Sequence, residues 1–224
     1  MFDRRNDGAA PEPQWPDPAA RSPDFRVETT RGKLRFATWA AGHWVYLFSF
    51  PSTFASVCST ELVALARRKR AFAARGVRVM GITGAGLQEV ADWVMDLEKV
   101  FGLEIGFPVA ADEGGDVLRA LGMIGGGGGQ MNSRQSLFLD PERRLRMRMD
   151  YPLRLGRNSN EVLRCFEGMK DADYTGLAIP GDWQPGDDMV APRGVQADQM
   201  QEVFGEDWTQ LSDYLMIAHV SAPD

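Results

Sequence analysis

Residues 44–61 read WVYLFSFPSTFASVCSTE, and this stretch decides how the chain folds. Its first seven residues form an almost continuous apolar run, which predicts a β-strand buried on both faces, as in a sheet covered by helices. Pro51 ends the run, and a short loop leads to Cys58. From Leu62 onwards the apolar residues recur at helical spacing. A buried strand is therefore predicted to pass directly into an amphipathic helix.

The alternation of strands and helices continues along the chain. Further strands are predicted over residues 77–83, 107–110, 136–140 and 145–150, and further helices over residues 88–101, 116–121 and 160–169. The strand over residues 107–110 is short and is predicted to be an edge strand. Parallel βαβ units followed by an antiparallel hairpin and a helix make up the thioredoxin-like plan. We therefore predict an α/β fold with a central sheet flanked by helices.

Composition divides the chain into three predicted segments. Residues 1–22 are rich in Pro, Asp, Arg and Ala and lack the apolar region of a secretory signal, so we expect a disordered or loosely docked arm. Residues 23–173 contain the predicted thioredoxin-like domain. Residues 174–224 are rich in Pro, Gly and Asp and predict an irregular C-terminal arm with a short helix and a last strand.

Charge and cysteine content exclude several classes of protein. The net charge of −6 argues against nucleic acid or an anionic membrane surface as the main partner. No run of about 18 apolar residues is present, so no transmembrane helix is predicted. Cys58 and Cys165 are too few for a disulfide scaffold, and a reducing, cytoplasmic location is expected. His43 and His219 fall in no motif, so neither a metal site nor a cofactor is expected.

Cys58 lies where the predicted strand gives way to the helix. Unpaired backbone N–H groups and the positive end of the helix dipole collect at such a position, and both favour an anion. Because the thiolate is the nucleophilic form of cysteine, the position predicts a reactive thiol. On these grounds alone an inert cysteine stays possible, since free cysteine is usually a small buried hydrophobe.

Several motifs resemble those of the peroxiredoxins. Residues 51–61 resemble the active-site segment of that family, in which proline is followed by three residues, a threonine, two residues and the reactive cysteine. Arg134, just before a predicted strand, matches the active-site arginine, and Arg157 matches the second one. Residues 180–187, PGDWQPGD, resemble the C-terminal arm of the 1-Cys branch. The resemblance extends over residues 22–193.

The resemblance implies a 1-Cys thiol peroxidase that reduces hydrogen peroxide or alkyl hydroperoxides through a sulfenic acid on Cys58. Arg134 would then stabilise the thiolate and the peroxide oxygens. Glu61 would orient Arg134 and Arg157, and Pro51 would shield the thiolate from bulk water.

The resemblance also implies partners. Ile179 occupies the position of the resolving cysteine of two-cysteine relatives, so an external thiol such as thioredoxin or glutathione would have to reduce the sulfenic acid. A homodimer or higher homo-oligomer is expected, with residues 174–224 taking part in dimerisation. Neither nucleic acid nor a membrane is expected as a partner.

The sequence departs from the family pattern beside the reactive cysteine. Ala55 occupies the threonine position, whose hydroxyl hydrogen-bonds the substrate and the sulfur in the family. Loss of one such charge-assisted bond costs about 1.5–3 kcal/mol. Ser52, Thr53 and Ser56 lie near enough in sequence to be candidates for replacing that hydroxyl. Phe50 stands where many relatives have histidine.

Two alternatives to the peroxidase therefore stay open. The first is a catalytically weakened peroxiredoxin fold that acts as a redox sensor or binding protein. The second is thiol–disulfide exchange between Cys58 and Cys165, although Cys165 lies in an apolar helical pattern that favours a buried core thiol.

Overall fold

The computed structural model describes residues 21–124 and 133–220. The glycine run at residues 125–129 and nearly all of the predicted arm over residues 1–22 lie outside these ranges. The chain divides into two units, Met1–Ser159 and Asn160–Asp224. The described part of the first unit contains a seven-stranded sheet, and that of the second contains a three-stranded sheet.

The elements of the first unit alternate much as the sequence predicts. They are β1 (Arg26–Thr29), β2 (Gly32–Arg35), α1 (Phe36–Ala40), β3 (Trp44–Phe50), α2 (Ser56–Arg67), α3 (Lys69–Ala74), β4 (Val77–Thr83), α4 (Leu87–Phe101), β5 (Val109–Ala111), α5 (Asp116–Ala120), β6 (Ser133–Leu139) and β7 (Leu145–Pro152). The thioredoxin-like α/β fold is confirmed, with parallel β3–β4 and β4–β5 pairs and an antiparallel β6–β7 hairpin.

Strand β3 lies inside the sheet, whose order is β2-β1-β5-β4-β3-β6-β7, and all of its residues are buried. Its prediction as a strand buried on both faces is confirmed. The prediction that β5 is an edge strand is wrong, because the β1–β2 hairpin covers its outer side. The hairpin escaped prediction because its strands are short and largely exposed, with little apolar periodicity to reveal them.

Successive side chains of β3 point to opposite faces of the sheet. On one face Tyr46, Phe48 and Phe50 form an aromatic layer, in which the Tyr46 and Phe48 rings stack with centroids 5.1 Å apart. The Phe50 ring meets Trp93 of α4 edge-on at 5.3 Å. On the other face Val45 and Leu47 join an apolar cluster with residues of β4, β6 and α5. The strand thus anchors two separate packing layers.

The helix predicted from Leu62 onwards is interrupted at Arg68. Helix α2 ends at Arg67 and α3 begins at Lys69, because the backbone N–H of Arg68 bonds to Leu65 O in a tighter turn. At this interruption the Arg68 guanidinium donates to Ser159 Oγ at 2.9 Å.

The second unit contains α6 (Ser159–Thr175), which begins at the unit boundary, followed by β8 (Met189–Val190), α7 (Ala197–Phe204), β9 (Trp208–Ser212) and β10 (Leu215–Ala218). Describing the C-terminal arm as irregular is wrong for the described residues. Its strands form an antiparallel sheet in the order β8-β10-β9 around an apolar cluster that includes Trp183, Met200 and Met216. The predicted short helix and last strand are confirmed.

The short β8 and the polar β9 escaped prediction because neither has an apolar run. The structural boundary at Ser159 precedes the predicted one at residue 173, since α6 groups with the C-terminal unit. The assignment of three functional segments stays a prediction. No helix among the described residues has the length and apolar character that crossing a bilayer requires.

The close contact between Phe50 and β4 can be tested with a single methyl group. A Cβ at Gly81 would lie 2.6 Å from Cε2 of the Phe50 ring. Gly81→Ala is therefore expected to lower the free energy of unfolding by about 1–3 kcal/mol, measured by urea denaturation. In Gly84→Ala the new Cβ would meet nothing nearer than 3.9 Å, and we expect a change below about 0.5 kcal/mol. Equal effects of the two substitutions would contradict this packing.

Candidate active site

Cys58 lies in the first turn of α2, which begins at Ser56 with Ala55 as its N-cap. The residue has no exposed surface. The first N–H groups of an α-helix have no partner within the helix, so they and the helix dipole place partial positive charge near the sulfur. The local fold thus provides the anion-favouring surroundings that the sequence predicts.

Arg134 of β6 approaches the sulfur directly. Its Nη1 donates to Cys58 Sγ at 3.0 Å and to Glu61 Oε2 at 3.0 Å. Its Nε and Nη2 both donate to the carbonyl oxygen of Leu153, at 3.1 and 2.8 Å. Held from two sides and almost completely buried, this guanidinium has one orientation, which directs Nη1 at the sulfur.

Arg157 binds the same carboxylate from another side. Its Nε donates to Glu61 Oε1 and its Nη2 to Oε2, both at 2.9 Å, and its backbone N–H donates to Oε1 at 2.8 Å. Its Cζ lies 4.8 Å from the centroid of the Phe48 ring, a cation–π contact with the aromatic layer. The side chains of Glu61 and Arg157 are only 3% and 4% exposed.

The charges of these three side chains do not cancel. Two guanidinium groups share one carboxylate, which leaves one positive charge uncompensated beside Cys58 Sγ. Coulomb interactions strengthen away from water, so this positive charge acts strongly on any negative charge that develops beside it. The arrangement can therefore hold a nucleophilic sulfur and, on the same donor, an oxygen that gains negative charge.

Pro51 lies in the loop between β3 and α2. It ends β3 and borders a pocket of about 470 Å³, together with residues that follow β4 and precede α5. The structure brings Cys58, Glu61, Arg134 and Arg157 together and places Pro51 in the loop that precedes them. The individual roles assigned to the five residues stay predictions.

None of the three hydroxyls considered as replacements at Ala55 reaches the sulfur. Thr53 is buried, and its Oγ1 donates to the Glu89 carboxylate. Ser52 and Ser56 are exposed. Within the described parts of the chain, the hydrogen-bond donor to Cys58 Sγ is Arg134. Ala55 therefore leaves the site without the motif hydroxyl.

Sequence reasoning missed two groups that shape the site. The Leu153 carbonyl oxygen, which accepts two bonds from Arg134, is a backbone atom that gives no residue-type signal. The Phe48 ring beneath Arg157 was assigned only to the core. The guanidinium of a buried arginine needs hydrogen-bond acceptors and an aromatic ring on which to stack. The residues of the strands next to Arg134 and Arg157 were therefore the signal from which these two contacts could have been predicted.

Cys165 has very different surroundings in α6. It is buried, and its Sγ donates to Glu161 Oε1 at 3.4 Å. Burial, reinforced by the negative charge of Glu161, raises the pKa of Cys165 to about 12. This thiol stays protonated at neutral pH, so its surroundings do not favour thiol–disulfide exchange.

No metal-binding cluster was found in the described residues, where no three His, Cys, Asp or Glu side chains are grouped to hold an ion. The two histidines make local contacts instead. A ring nitrogen of His43 bonds to Ala41 O, and the ring of His219 bridges Asp188 and Thr209.

Comparison with known proteins decides the family. The AhpC/TSA family matches residues 18–148. The mitochondrial peroxiredoxin of Saccharomyces cerevisiae is 31% identical over 202 residues, which cover 87% of this chain and 77% of the yeast protein. The chain is a peroxiredoxin of the AhpC/TSA family. The 1-Cys peroxiredoxin A of Oryza sativa subsp. japonica is 32% identical over 188 residues, covering 81% and 86% of the two chains.

Solved structures agree with this assignment. The structure of a yeast mitochondrial 1-Cys peroxiredoxin superimposes with a TM-score of 0.85 at 29% identity, covering 90% of this chain and 98% of the other. These similarities place the chain in the 1-Cys branch. Like other peroxiredoxins, it is a thiol-dependent peroxidase.

The shared carboxylate predicts a large stability effect in this peroxiredoxin. Glu61→Gln removes the charge that holds two buried guanidinium groups, and we expect the free energy of unfolding to fall by about 3–5 kcal/mol. The matched control is Glu104→Gln, because Glu104 makes exposed ion pairs with Arg31 and Lys69. Such pairs contribute little. Urea denaturation curves that shift equally for both variants would contradict a central role for Glu61.

The raised pKa of Cys165 predicts its reactivity. In the folded protein at neutral pH, we expect Cys165 to resist a small alkylating reagent, as peptide mass spectrometry would show. Glu161→Gln removes a negative charge that raises the thiol pKa, so alkylation should begin at a lower pH. Burial, the larger cause, remains in the variant, so the shift should be partial. Rapid alkylation of Cys165 in the wild-type protein at neutral pH would disprove this interpretation.

Proposed function

We propose that this peroxiredoxin reduces hydrogen peroxide or alkyl hydroperoxides with Cys58 as the attacking residue. The observation that carries the proposal is the 3.0 Å contact between Arg134 Nη1 and the Sγ of Cys58, a fully buried residue in the first turn of α2. A cationic donor beside a sulfur at the start of a helix meets the two requirements of the reaction. It favours the thiolate, and it can stabilise an oxygen that gains charge.

The chemistry follows from this geometry. The Cys58 thiolate attacks one peroxide oxygen, so that an S–O bond forms while the O–O bond breaks. The departing oxygen takes up a proton and leaves as water or alcohol, and Cys58 becomes a sulfenic acid. Arg134 donates towards the oxygens during this exchange, and Glu61 and Arg157 fix its position.

An external thiol completes the proposed cycle. It attacks the sulfenic sulfur and releases water, and a second thiol then frees Cys58 by forming a disulfide with the first. Ile179 at the resolving position and the protonated, buried Cys165 both support an outside reductant. The yeast 1-Cys structure concerns thiol resolution through glutathione and thioredoxin systems, and we propose a reductant of that class here.

The proposal includes assembly and location. We propose a homodimer or higher homo-oligomer, supported by the position of β7 as an edge strand of the described seven-stranded sheet. A cytoplasmic location fits two cysteines that are both free thiols.

A second candidate function rests on Ala55. Without the motif hydroxyl, one donor to the reacting atoms is lost, which favours a slower peroxidase that acts as a redox sensor. Sensor and efficient peroxidase share the Cys58 chemistry and differ in rate.

Stopped-flow oxidation by hydrogen peroxide and by an alkyl hydroperoxide tests the proposed function. We expect Cys58 to react far faster than free cysteine, with a gain of one oxygen atom on that residue by mass spectrometry. Cys58→Ser, which keeps Cys165, is the control and should show no fast reaction. Oxidation of Cys58 no faster than that of free cysteine would exclude the peroxidase and leave the sensor or binding protein.

The role of Ala55 predicts a gain of rate. Ala55→Thr restores a hydroxyl beside the sulfur, and a bond worth about 1.5–3 kcal/mol raises the peroxide rate constant about 10- to 150-fold. The matched control is Ala55→Val, because valine has nearly the same shape as threonine but no hydroxyl. This variant should react like the wild type. Equal rates for the two variants would show that the missing hydroxyl does not limit the reaction.

A further inference from the structure

Two buried hydroxyl groups lie behind the active site. Tyr46 OH and Ser136 Oγ are 3.0 Å apart, and both residues have no exposed surface. Tyr46 belongs to β3 and Ser136 to β6. The chemistry described so far uses neither hydroxyl, although buried polar groups are costly unless they are paired.

Strand geometry puts these hydroxyls on the same face as the catalytic arginine. In the antiparallel β3–β6 pair, Tyr46 is opposite Phe138 and Phe48 is opposite Ser136. Because alternate residues share a face, Arg134 and Ser136 of β6 point the same way, towards the aromatic layer of Tyr46 and Phe48.

Ser136 connects this hydroxyl pair to Arg157. Arg157 Nη1 donates to Gln135 O at 3.1 Å and to Ser136 Oγ at 3.4 Å, while Nε and Nη2 of the same guanidinium bind Glu61. A guanidinium can only donate, so Ser136 Oγ accepts here. Its own proton and remaining lone pair are available for Tyr46 OH. Burial raises the pKa of Tyr46 above its ordinary value, so that hydroxyl stays neutral.

A continuous chain of polar contacts therefore runs from Tyr46 to the sulfur. It passes from Tyr46 through Ser136 to Arg157, and from there through Glu61 to Arg134 Nη1, which contacts Cys58 Sγ. Arg134 Nη1 is shared between Glu61 and the sulfur, so a displacement of the carboxylate changes the sulfur contact. Because Ala55 supplies no hydroxyl, Arg134 Nη1 contributes more to stabilising the sulfur and the peroxide oxygens than it would beside a threonine.

We propose that Tyr46 and Ser136 are positioning residues for peroxide reduction, acting through Arg157 and Glu61 on the Arg134 donor. The proposal rests on the proposed function of Cys58. Tyr46 and Ser136 do not touch the peroxide. They fix the guanidinium of Arg157, which in turn fixes the carboxylate of Glu61. Hydrogen-bond networks of this kind contribute more stabilisation than the sum of their separate bonds.

Matched substitutions separate the hydroxyl from the shape of the side chain. Ser136→Thr keeps a hydroxyl and Ser136→Val replaces it with a methyl group, and the two variants have nearly the same volume. Tyr46→Phe removes only the phenolic oxygen. We expect Ser136→Val and Tyr46→Phe to lower the rate constant of Cys58 with hydrogen peroxide by about fivefold or more, and Ser136→Thr to recover most of the loss.

A second measurement reports position independently of activity. The Nε–H of Arg157 is held by Glu61 in a buried site, so its NMR signal should be separated from those of the other arginines in the wild type. The signal is assigned by its loss in Arg157→Lys. This signal is expected to shift or broaden in Ser136→Val and Tyr46→Phe, and to return in Ser136→Thr. Tyr174→Phe, at a residue that is 92% exposed, is the control for both measurements.

The outcomes are distinguishable. A fast wild type with slower hydroxyl-deleted variants, rescue by Ser136→Thr and a displaced Arg157 signal would support the positioning role. A fast wild type whose variants react within about twofold of it, with an unchanged Arg157 signal, would overturn that role alone. A wild type no faster than free cysteine would overturn the proposed function of Cys58.

Discussion

The Glu61 carboxylate, buried between two guanidinium groups, is the interaction on which the active site depends. Burying a charge away from water costs several kcal/mol unless it is paired with good geometry, and Glu61 meets this condition with bonds from Arg134 and from both the side chain and backbone of Arg157. The three side chains come from α2, β6 and the segment after β7. The carboxylate therefore ties together parts of the chain that are distant in sequence, and a change in any one of them is transmitted to the others.

The sheet explains why these groups meet. Strand β3 leads into α2 at one end of the sheet, and the antiparallel β6 begins at that same end. Since Phe48 is opposite Ser136, Arg134 lies two residues earlier in β6, close to where β3 ends and α2 starts. The aromatic layer then has two functions, because it packs the core and also provides the Phe48 ring on which Arg157 rests. Stability and catalysis are in this way supported by the same face of β3.

Elements with long apolar runs and residues in motif positions can be predicted from the sequence. Strand β3, the start of α2 and the cluster around Cys58 could be predicted for these reasons. The β1–β2 hairpin and the polar β9 could not, because their strands have little apolar periodicity, and neither could the interruption at Arg68, which depends on local backbone bonding. The Tyr46–Ser136 contact joins residues separated by 90 positions, and only the strand register brings them together. The available signal was one hydroxyl residue in each of two apolar strands, but this signal does not show which residue each hydroxyl contacts.

We expect the bare N-cap of α2 to affect the two halves of the proposed catalytic cycle in opposite ways. A capping side chain is worth about 1 kcal/mol, and Ala55 makes no such bond, so the first turn opens about fivefold more often than a capped one would. Attack on a small peroxide needs the turn closed, with the sulfur held against Arg134. A thiol reductant is larger and has to line up its sulfur with the S–O bond of a Cys58 that has no exposed surface when the turn is closed. Transient local unfolding of this turn would give the reductant access, so we expect the missing hydroxyl to slow oxidation and the missing cap to speed reduction.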